Sequence, residues 1–141
     1  MKPFLLDTNV LSEFSRVGPP HDAVARWLQA TSEALLFASV LTFAEIRRGI
    51  ELLPASRRRA QLELWQHEFV ASFAGRLLPV TLPIAERWAV LSADSKRRGT
   101  PLATIDGLLA ATASEHGLTV ATRNVKDFAN LGIAIFNPWD N

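Results

Sequence analysis

The 141-residue sequence contains no cysteine. This absence excludes disulfide bonds, thiolate nucleophiles and cysteine-ligated zinc, and it agrees with a reducing compartment. Long apolar runs are absent too, so no segment is expected to cross a bilayer. The first apolar run stops at Asp7, which makes it too short for a signal peptide. We therefore expect a cytoplasmic protein without a membrane segment.

A strong charge of either sign is also missing. Fifteen lysines and arginines against fourteen acids give a net charge of +1. Domains that bind nucleic acid usually carry a clear basic excess, so any such contact would depend on the local basic runs at residues 57–59 and 96–98. A hydrophobic content of 48% is typical of a globular chain. With no repeat or linker in view, residues 1–141 are predicted to form one domain.

Short apolar runs alternate with helical patterns along the whole chain. Apolar runs predict strands at residues 4–6, 35–38, 118–121 and 133–136, with a brief extended piece at 77–80. Helical spacing predicts helices just after Asp7 and at about 21–30, 40–53, 55–75, 83–98 and 105–116. Ser39 and Thr104 are the expected N-caps, Gly117 the expected stop, and residues 17–20 a turn. This alternation predicts a three-layer α/β/α fold with a central, mainly parallel sheet.

Polar side chains follow two of the predicted strands. Asp7, Thr8 and Asn9 come directly after the first strand, and Thr122 and Asn124 come after the strand at 118–121. Open α/β sheets bind their ligands at the carboxyl ends of strands, so these residues are candidates for one site. A simpler alternative is that Asp7, Thr8 or Asn9 only caps the following helix.

Further acids lie where this topology could bring them to the same place. Glu45 interrupts an apolar helical stretch, Asp106 lies in the first turn of a helix, and Asp127 follows Asn124. Carboxylates that converge repel one another, and a divalent cation relieves the repulsion. Oxygen ligands suit Mg²⁺ or Mn²⁺ rather than zinc, as one ion or as a pair. Taken singly, each acid could equally be a surface residue or a helix cap.

Four motifs occur in a fixed order along the chain. They are Asp7-Thr8-Asn9, residues 44–49 (AEIRRG), residues 105–113 (IDGLLAATA), and residues 120–124 (VATRN) with Asp127-Phe128. Together with the closing segment 136–140 (FNPWD), they make the chain resemble PIN-domain proteins, more closely the VapC and FitB toxins of bacterial type II toxin–antitoxin pairs. The resemblance extends nearly from end to end.

This resemblance implies a PIN-like fold and an endoribonuclease that depends on Mg²⁺ or Mn²⁺. It assigns metal coordination and catalysis to three acids, which are Asp7, Glu45 and Asp106. It assigns supporting roles to Thr8 and Thr122, which would orient those acids, and to Asn9, which would position a carboxylate or the substrate.

The fourth acidic position departs from the pattern of the resemblance. FitB-like proteins carry an aspartate directly after the Thr-Arg pair, where this chain has Asn124. Asp127 is the expected fourth acid and metal ligand, with Asn124 as a neutral contact. An amide oxygen can bind a hard cation but brings no charge, so a second metal position would be weak or missing.

The resemblance also implies partners: an RNA substrate, a small DNA-binding antitoxin, and a second copy in a homodimer that could assemble further. Trp65, Phe69, Val70 and Phe73 form an apolar stripe that would suit a protein partner or ordinary core packing.

Two other functions stay open. A PIN fold whose nuclease site has decayed would act only as an interaction module. A receiver-type phosphoacceptor domain also holds Mg²⁺ at strand ends, but it needs paired acids where this chain has Thr8-Asn9, and a lysine at a late strand end, whereas Lys126 is predicted to lie in a loop.

Overall fold

The computed structural model describes residues 2–15 and 19–140, so the turn predicted at 17–20 falls partly outside the described residues. The strands are β1 (Phe4–Leu6), β2 (Leu36–Ser39), β3 (Leu77–Leu78), β4 (Thr119–Ala121) and β5 (Ile135–Phe136). The α-helices are α1 (Thr8–Ser12), α2 (Asp22–Ala30), α3 (Val40–Glu51), α4 (Arg57–Ser72), α5 (Leu82–Arg97), α6 (Thr104–His116) and α7 (Val125–Phe128). No helix of the described residues is both long and apolar enough to cross a membrane.

The five strands form one sheet in the order β3-β2-β1-β4-β5, and each neighbouring pair is parallel. The chain first builds outward from β1 through β2 to β3, and then crosses back to add β4 and β5 on the other side. The order therefore reverses between β1 and β4, and ligands of open parallel sheets bind at such a reversal. The predicted parallel sheet is confirmed.

Side chains alternate between the two faces of the sheet, and each face is covered by helices. Leu6, Leu36 and Ala38 point into a core shared with helices α1–α4. Leu5 and Val120 point the opposite way, into a core closed mainly by α6. Because both faces are buried, the strands carry unbroken apolar runs. The predicted three-layer arrangement is confirmed.

Several helix ends are set by the residues expected from the sequence. Ser39 caps α3, because its Oγ accepts a hydrogen bond of 3.1 Å from the Leu41 N–H. Gly117 ends α6 in the left-handed region, with φ +65°, a conformation that costs glycine little.

Other boundaries differ from the predictions. Thr104 is not an N-cap, because it is already helical and Ala103 is the flanking extended residue. The extended piece predicted at 77–80 contains only the two-residue β3, and the strand predicted at 133–136 is only the two-residue β5. Both lie at the edges of the sheet. The length of an edge strand is set by how far it pairs with its single neighbour, and the length of its apolar run does not determine it. Lys126 lies in α7, a four-residue helix, and not in the predicted loop.

Two helical glycines provide a matched test of the packing around α6. A methyl group at Gly107 would lie 2.8 Å from Trp88 Cδ1 and 2.9 Å from Leu102 Cδ2, whereas one at Gly49 on α3 would meet no atom within 4 Å. We predict that Gly107→Ala lowers the free energy of unfolding by about 1–3 kcal/mol through overpacking. Gly49→Ala should raise it by up to about 1 kcal/mol through helix propensity. Urea titration of both variants measures this, and equal effects would contradict the packing described around Gly107.

Candidate active site

The pairing of β1 with β4 brings together two polar residues that are far apart in sequence. In this register Leu6 lies opposite Ala121, so the next residues, Asp7 and Thr122, leave the sheet side by side. The Asp7 N–H extends the pairing with a bond of 3.0 Å to the Ala121 carbonyl. Both side chains therefore lie at the carboxyl edge, where the strand order reverses.

Asp7 is a buried carboxylate held by hydrogen bonds on both oxygens. Its Oδ2 accepts from Thr122 Oγ1 at 2.7 Å and from Asn9 Nδ2 at 3.4 Å. Its Oδ1 accepts from the Thr8 N–H at 2.7 Å, which makes Asp7 the N-cap of α1. The Asn124 N–H in turn donates to Thr122 Oγ1 at 3.0 Å. Asp7 therefore caps α1 and also hydrogen-bonds across the sheet edge to Thr122, so the capping role does not exclude the predicted role in a site.

Asn9 and Thr8 connect Asp7 to the rest of this edge. The Asn9 Oδ1 accepts a hydrogen bond of 3.2 Å from the Arg123 N–H, which fixes the start of α1 to the segment after β4. Thr8 Oγ1 donates to Glu45 Oε1 at 2.6 Å. Glu45 lies half-buried on α3, which begins directly after β2, and so faces the same edge. Thr8, Thr122 and Asn9 thus each hydrogen-bond to one of the predicted acids.

Asp106 shows that four acids share one electrostatic environment. It lies in the first turn of α6, and its pKa is raised from 3.8 to about 6. Partial burial is the main cause, followed by the negative charges of Asp7, Asp127 and Glu45. The pKa of Asp7 is raised as well, mainly by burial and further by Asp127, against the lowering effect of its hydrogen bonds. Because the charges of Asp7, Asp127 and Glu45 all raise the pKa of Asp106, the four carboxylates lie around one region.

The region carries an excess of negative charge. Within residues 2–15 and 19–140, none of these four carboxylates forms an ion pair with a lysine or arginine. The oxygens of carboxylates, hydroxyls and an amide form a hard donor set that suits Mg²⁺ or Mn²⁺. The chemistry of the residues therefore fits a divalent cation.

The geometry sets a limit on how such an ion would be held. In the described part of the chain, no group of three or more histidine, cysteine, aspartate or glutamate side chains lies close enough to hold one metal ion. The four acids surround the region without converging on a single coordination sphere. Mg²⁺ commonly binds through one or two carboxylates and keeps several waters, so this spread is compatible with a largely hydrated ion.

The fourth acid of the sequence prediction lies at the rim of the region. Asp127 is exposed on α7 and lines a cavity together with Asp106. Asn124 contributes its backbone N–H to Thr122, and no side-chain capping bond from Asn124 to α7 is present. The charge effect of Asp127 on both Asp7 and Asp106 connects it to the site.

Two arginines of the basic run at residues 57–59 have different surroundings. Arg59 is structural, because it pairs with Glu51 at 2.7 Å and Glu63 at 2.9 Å. Arg58 lines a cavity of about 240 Å³ that also includes Glu45.

The apolar stripe of α4 is largely core. Phe73 is buried, and Phe69 and Val70 pack against the core formed with α1–α3. Trp65 stacks on Phe69 with ring centres 5.1 Å apart and lines the cavity that contains Glu45. Core packing therefore accounts for most of the stripe.

Residues 4–133 match the family described as the PIN domain. The chain belongs to the PIN-domain family. Toxin FitB of Neisseria gonorrhoeae is 40% identical over 136 residues, which cover 96% of this chain and 97% of that protein. VapC ribonuclease Y4jK of Sinorhizobium fredii is 39% identical over 137 residues, covering 96% and 97%. A solved structure of FitAB bound to an IR36 DNA fragment superposes with a TM-score of 0.89 at 38% identity, covering 96% of this chain and 95% of that one.

The PIN-domain assignment and the strand order agree in excluding a receiver domain. Receiver-type domains place their strands in the order 2-1-3-4-5, whereas this PIN domain has β3-β2-β1-β4-β5.

The sequence pattern gave little weight to Arg98 and Lys126, which line the same cavity as Asp106. Their shared location could not be found from sequence, because they lie on separate helices.

The raised pKa of Asp106 predicts a pH-dependent cost to stability. Between the ordinary pKa of 3.8 and the folded value of about 6, the folded state holds a proton that the unfolded state has lost. Stability contributed by this group therefore falls as pH rises through that window and stays low above it. In EDTA at pH 7, Asp106→Asn should raise stability by about 1 kcal/mol after allowance for solvent screening, or about 3 °C in Tm.

Differential scanning calorimetry at several pH values checks this expectation. The gain should shrink below pH 4, where both forms are neutral. Asp94→Asn is the control, because Asp94 pairs with Arg97 at 2.8 Å and its neutralisation should bring no gain. An equal gain in both variants, or none in Asp106→Asn, would contradict the electrostatic coupling.

The Thr122 hydroxyl provides a second test. Thr122 is fully buried, and Thr122→Val keeps its shape while removing the donor to Asp7 and the acceptor of the Asn124 N–H. We predict a loss of about 1–3 kcal/mol in the free energy of unfolding, because buried polar groups are left unpaired. Thr122→Ser retains the hydroxyl and should lose less; chemical denaturation of the two proteins decides the order.

Proposed function

We propose that this PIN domain is the toxin of a toxin–antitoxin pair and a metal-dependent endoribonuclease that hydrolyses phosphodiester bonds of RNA. The observation that carries the proposal is the buried, doubly hydrogen-bonded Asp7 beside Glu45, Asp106 and Asp127, a set of acids without a neutralising cation among the described residues. The relatives named Toxin FitB and VapC ribonuclease support it.

Of the four acids expected to hold the metal, we propose Asp7 and Asp106 as direct ligands. The charges of Glu45 and Asp127 already act on Asp106, and they would also act on a bound ion. When bound there, Mg²⁺ or Mn²⁺ would lower the pKa of a water and offset negative charge on the phosphate. The protein contributes orientation: Thr122 and the Thr8 N–H fix both oxygens of Asp7, and Thr8 Oγ1 fixes Glu45. Asp106, with a pKa of about 6, is mostly ionised at neutral pH and can bind a cation in place of a proton.

The proposed partners follow the same relatives. Because FitB is named a toxin and a FitAB structure holds DNA, we infer that this chain pairs with a small DNA-binding antitoxin. We further propose that it forms a homodimer, works in the cytoplasm, and takes RNA as its substrate. The groove lined by Trp65, Arg58 and Glu45 adjoins the acids and is a candidate surface for the antitoxin.

A second candidate function is an interaction module without nuclease activity. Two points favour it: no three acids of the described residues converge within one coordination sphere, and Asn124 stands where the resemblance to FitB-like proteins leads us to expect an acid. Such a module would bind a divalent cation weakly or not at all. Calorimetric titration with Mn²⁺ separates the two functions, because only an intact site should give a saturable binding isotherm.

The nuclease proposal is tested with purified protein, freed of any partner, on a mixed RNA pool. We expect cleavage with Mg²⁺ or Mn²⁺, none in EDTA, and a loss of about 100-fold or more in Asp7→Asn. Asparagine at position 7 can still accept the Thr8 N–H, so the start of α1 is retained. Glu115→Gln removes an acid at the opposite end of α6 from Asp106 and should cleave like the wild type. Cleavage that survives EDTA or Asp7→Asn would overturn the proposal.

A further inference from the structure

A cavity of about 460 Å³ lies directly beside the acids, between the C-terminal end of α5 and helix α7. Asp106 and Asp127 line it on the side of the site. Pro101, Leu102 and Leu131 add apolar surface. A volume of this size suits a small ligand or one unit of a polymer.

Arg98 brings a fixed positive charge to this cavity. Its Nη1 donates to the Asn130 carbonyl at 3.1 Å, its Nε to the Asp94 carbonyl at 3.4 Å, and its Nη2 to Ser95 Oγ at 3.5 Å. All three acceptors are neutral. Among the residues that the structure describes, no carboxylate lies within 4.0 Å of this guanidinium. The Asp94 carboxylate, one turn earlier on α5, pairs with Arg97. Arg98 is therefore held in place while its charge stays available.

Lys126 brings a second positive charge. It is exposed on α7, one residue before Asp127, and lines the same cavity. Across residues 2–15 and 19–140 it makes no ion pair. The cavity thus combines two unpaired cations and an apolar wall with the acids of the site at its edge.

We propose that this cavity binds the nucleotide adjacent to the cleaved bond of a single RNA strand. Lys126 and Arg98 contact its phosphate oxygens, and the apolar wall formed by Pro101, Leu102 and Leu131 receives its base or ribose. The inference rests on the proposed nuclease function. It explains how a polyanion is retained next to four carboxylates, because cations on the next phosphate offset the repulsion at the acids.

A strand of RNA accounts for the cavity better than an acidic segment of a protein. Asp106 lines the cavity, and under the proposed function the cleaved phosphodiester lies at the acids. The following phosphate of the same strand then reaches the cations without a second ligand. An apolar wall beside cations also matches the chemistry of a nucleotide, which carries a flat base next to a charged phosphate.

The test measures binding of a labelled, short single-stranded RNA of mixed sequence by fluorescence anisotropy over a range of salt concentrations. It uses the full chain with Asp7→Asn as the background and EDTA present, so that no cleavage occurs. Lys126→Gln is the main variant, and Lys126→Arg restores the charge. Lys2→Gln is the matched control, because Lys2 is exposed just before β1, at the opposite edge of the sheet.

Lys126→Gln should weaken RNA binding about threefold. It should also lower the slope of log K against log salt by about 0.7, the value for one phosphate contact on a single strand. Lys126→Arg and Lys2→Gln should match the background. Arg98→Gln should lower the slope by a similar amount, with Tm measured alongside because Arg98 also holds the Asn130 carbonyl.

Equal affinity and slope in Lys126→Gln and Lys2→Gln would overturn the proposal, and this result is expected if the cations serve an acidic partner protein instead. No measurable RNA binding by the background protein would overturn it too. The nuclease function fails independently: if RNA binds with the predicted slope change but metal never produces cleavage, the subsite stands and the enzymatic activity does not. If cleavage occurs while Lys126→Gln leaves KM unchanged, the enzymatic activity stands and the subsite does not.

Discussion

The buried carboxylate of Asp7 is the constraint on which the rest of this structure depends. A charge in that position is costly unless donors surround it. Here the donors are the Thr8 N–H, which exists because α1 begins at that point, and the Thr122 hydroxyl, which is present because β1 and β4 pair in one register. Slippage of β4 by one residue would move the Thr122 hydroxyl away from Asp7 and exchange the side chains of β4 between the two cores. Satisfying Asp7 and building the sheet are therefore the same structural requirement.

The distribution of charge around Asp7 follows a consistent pattern. Negative groups gather at the carboxyl edge of the sheet, where the pKa values of Asp7 and Asp106 rise. Cations line the neighbouring cavities without pairing with these acids. Arg58 lines the cavity that contains Glu45, and Arg98 and Lys126 line the cavity that contains Asp106. A cation placed against the acids would neutralise them permanently, whereas cations outside ion-pair distance leave the negative charge of this edge in place.

Local sequence patterns predict the parts of this fold that depend on local physics. β1 and β4 are visible as unbroken apolar runs because both faces of the sheet are covered, and Ser39 and Gly117 mark helix ends by capping chemistry. The short edge strands and α7 are less visible, because two to four residues contain too little periodicity.

The site itself needed more than local patterns. Resemblance to PIN-domain proteins named Asp7, Glu45, Asp106 and Asp127 from their order, but the spread of these acids and the pKa of Asp106 depend on three-dimensional distances. The cavity with Arg98 and Lys126 depends on how α5 and α7 both pack against α6. Residues that act together across separate helices leave no common signal in one sequence.

The hydrogen bond from Thr122 to Asp7 joins residues 115 positions apart. Chain synthesis proceeds at about 5–20 residues per second, and pairing between distant segments is a slow part of folding. Asp7, Glu45 and Asp106 all leave the ribosome before Thr122 does. A nascent chain can thus contain three of the acids while the first of them still lacks its Thr122 donor. Full orientation of Asp7 therefore comes only after β4 has been synthesised and has paired with β1.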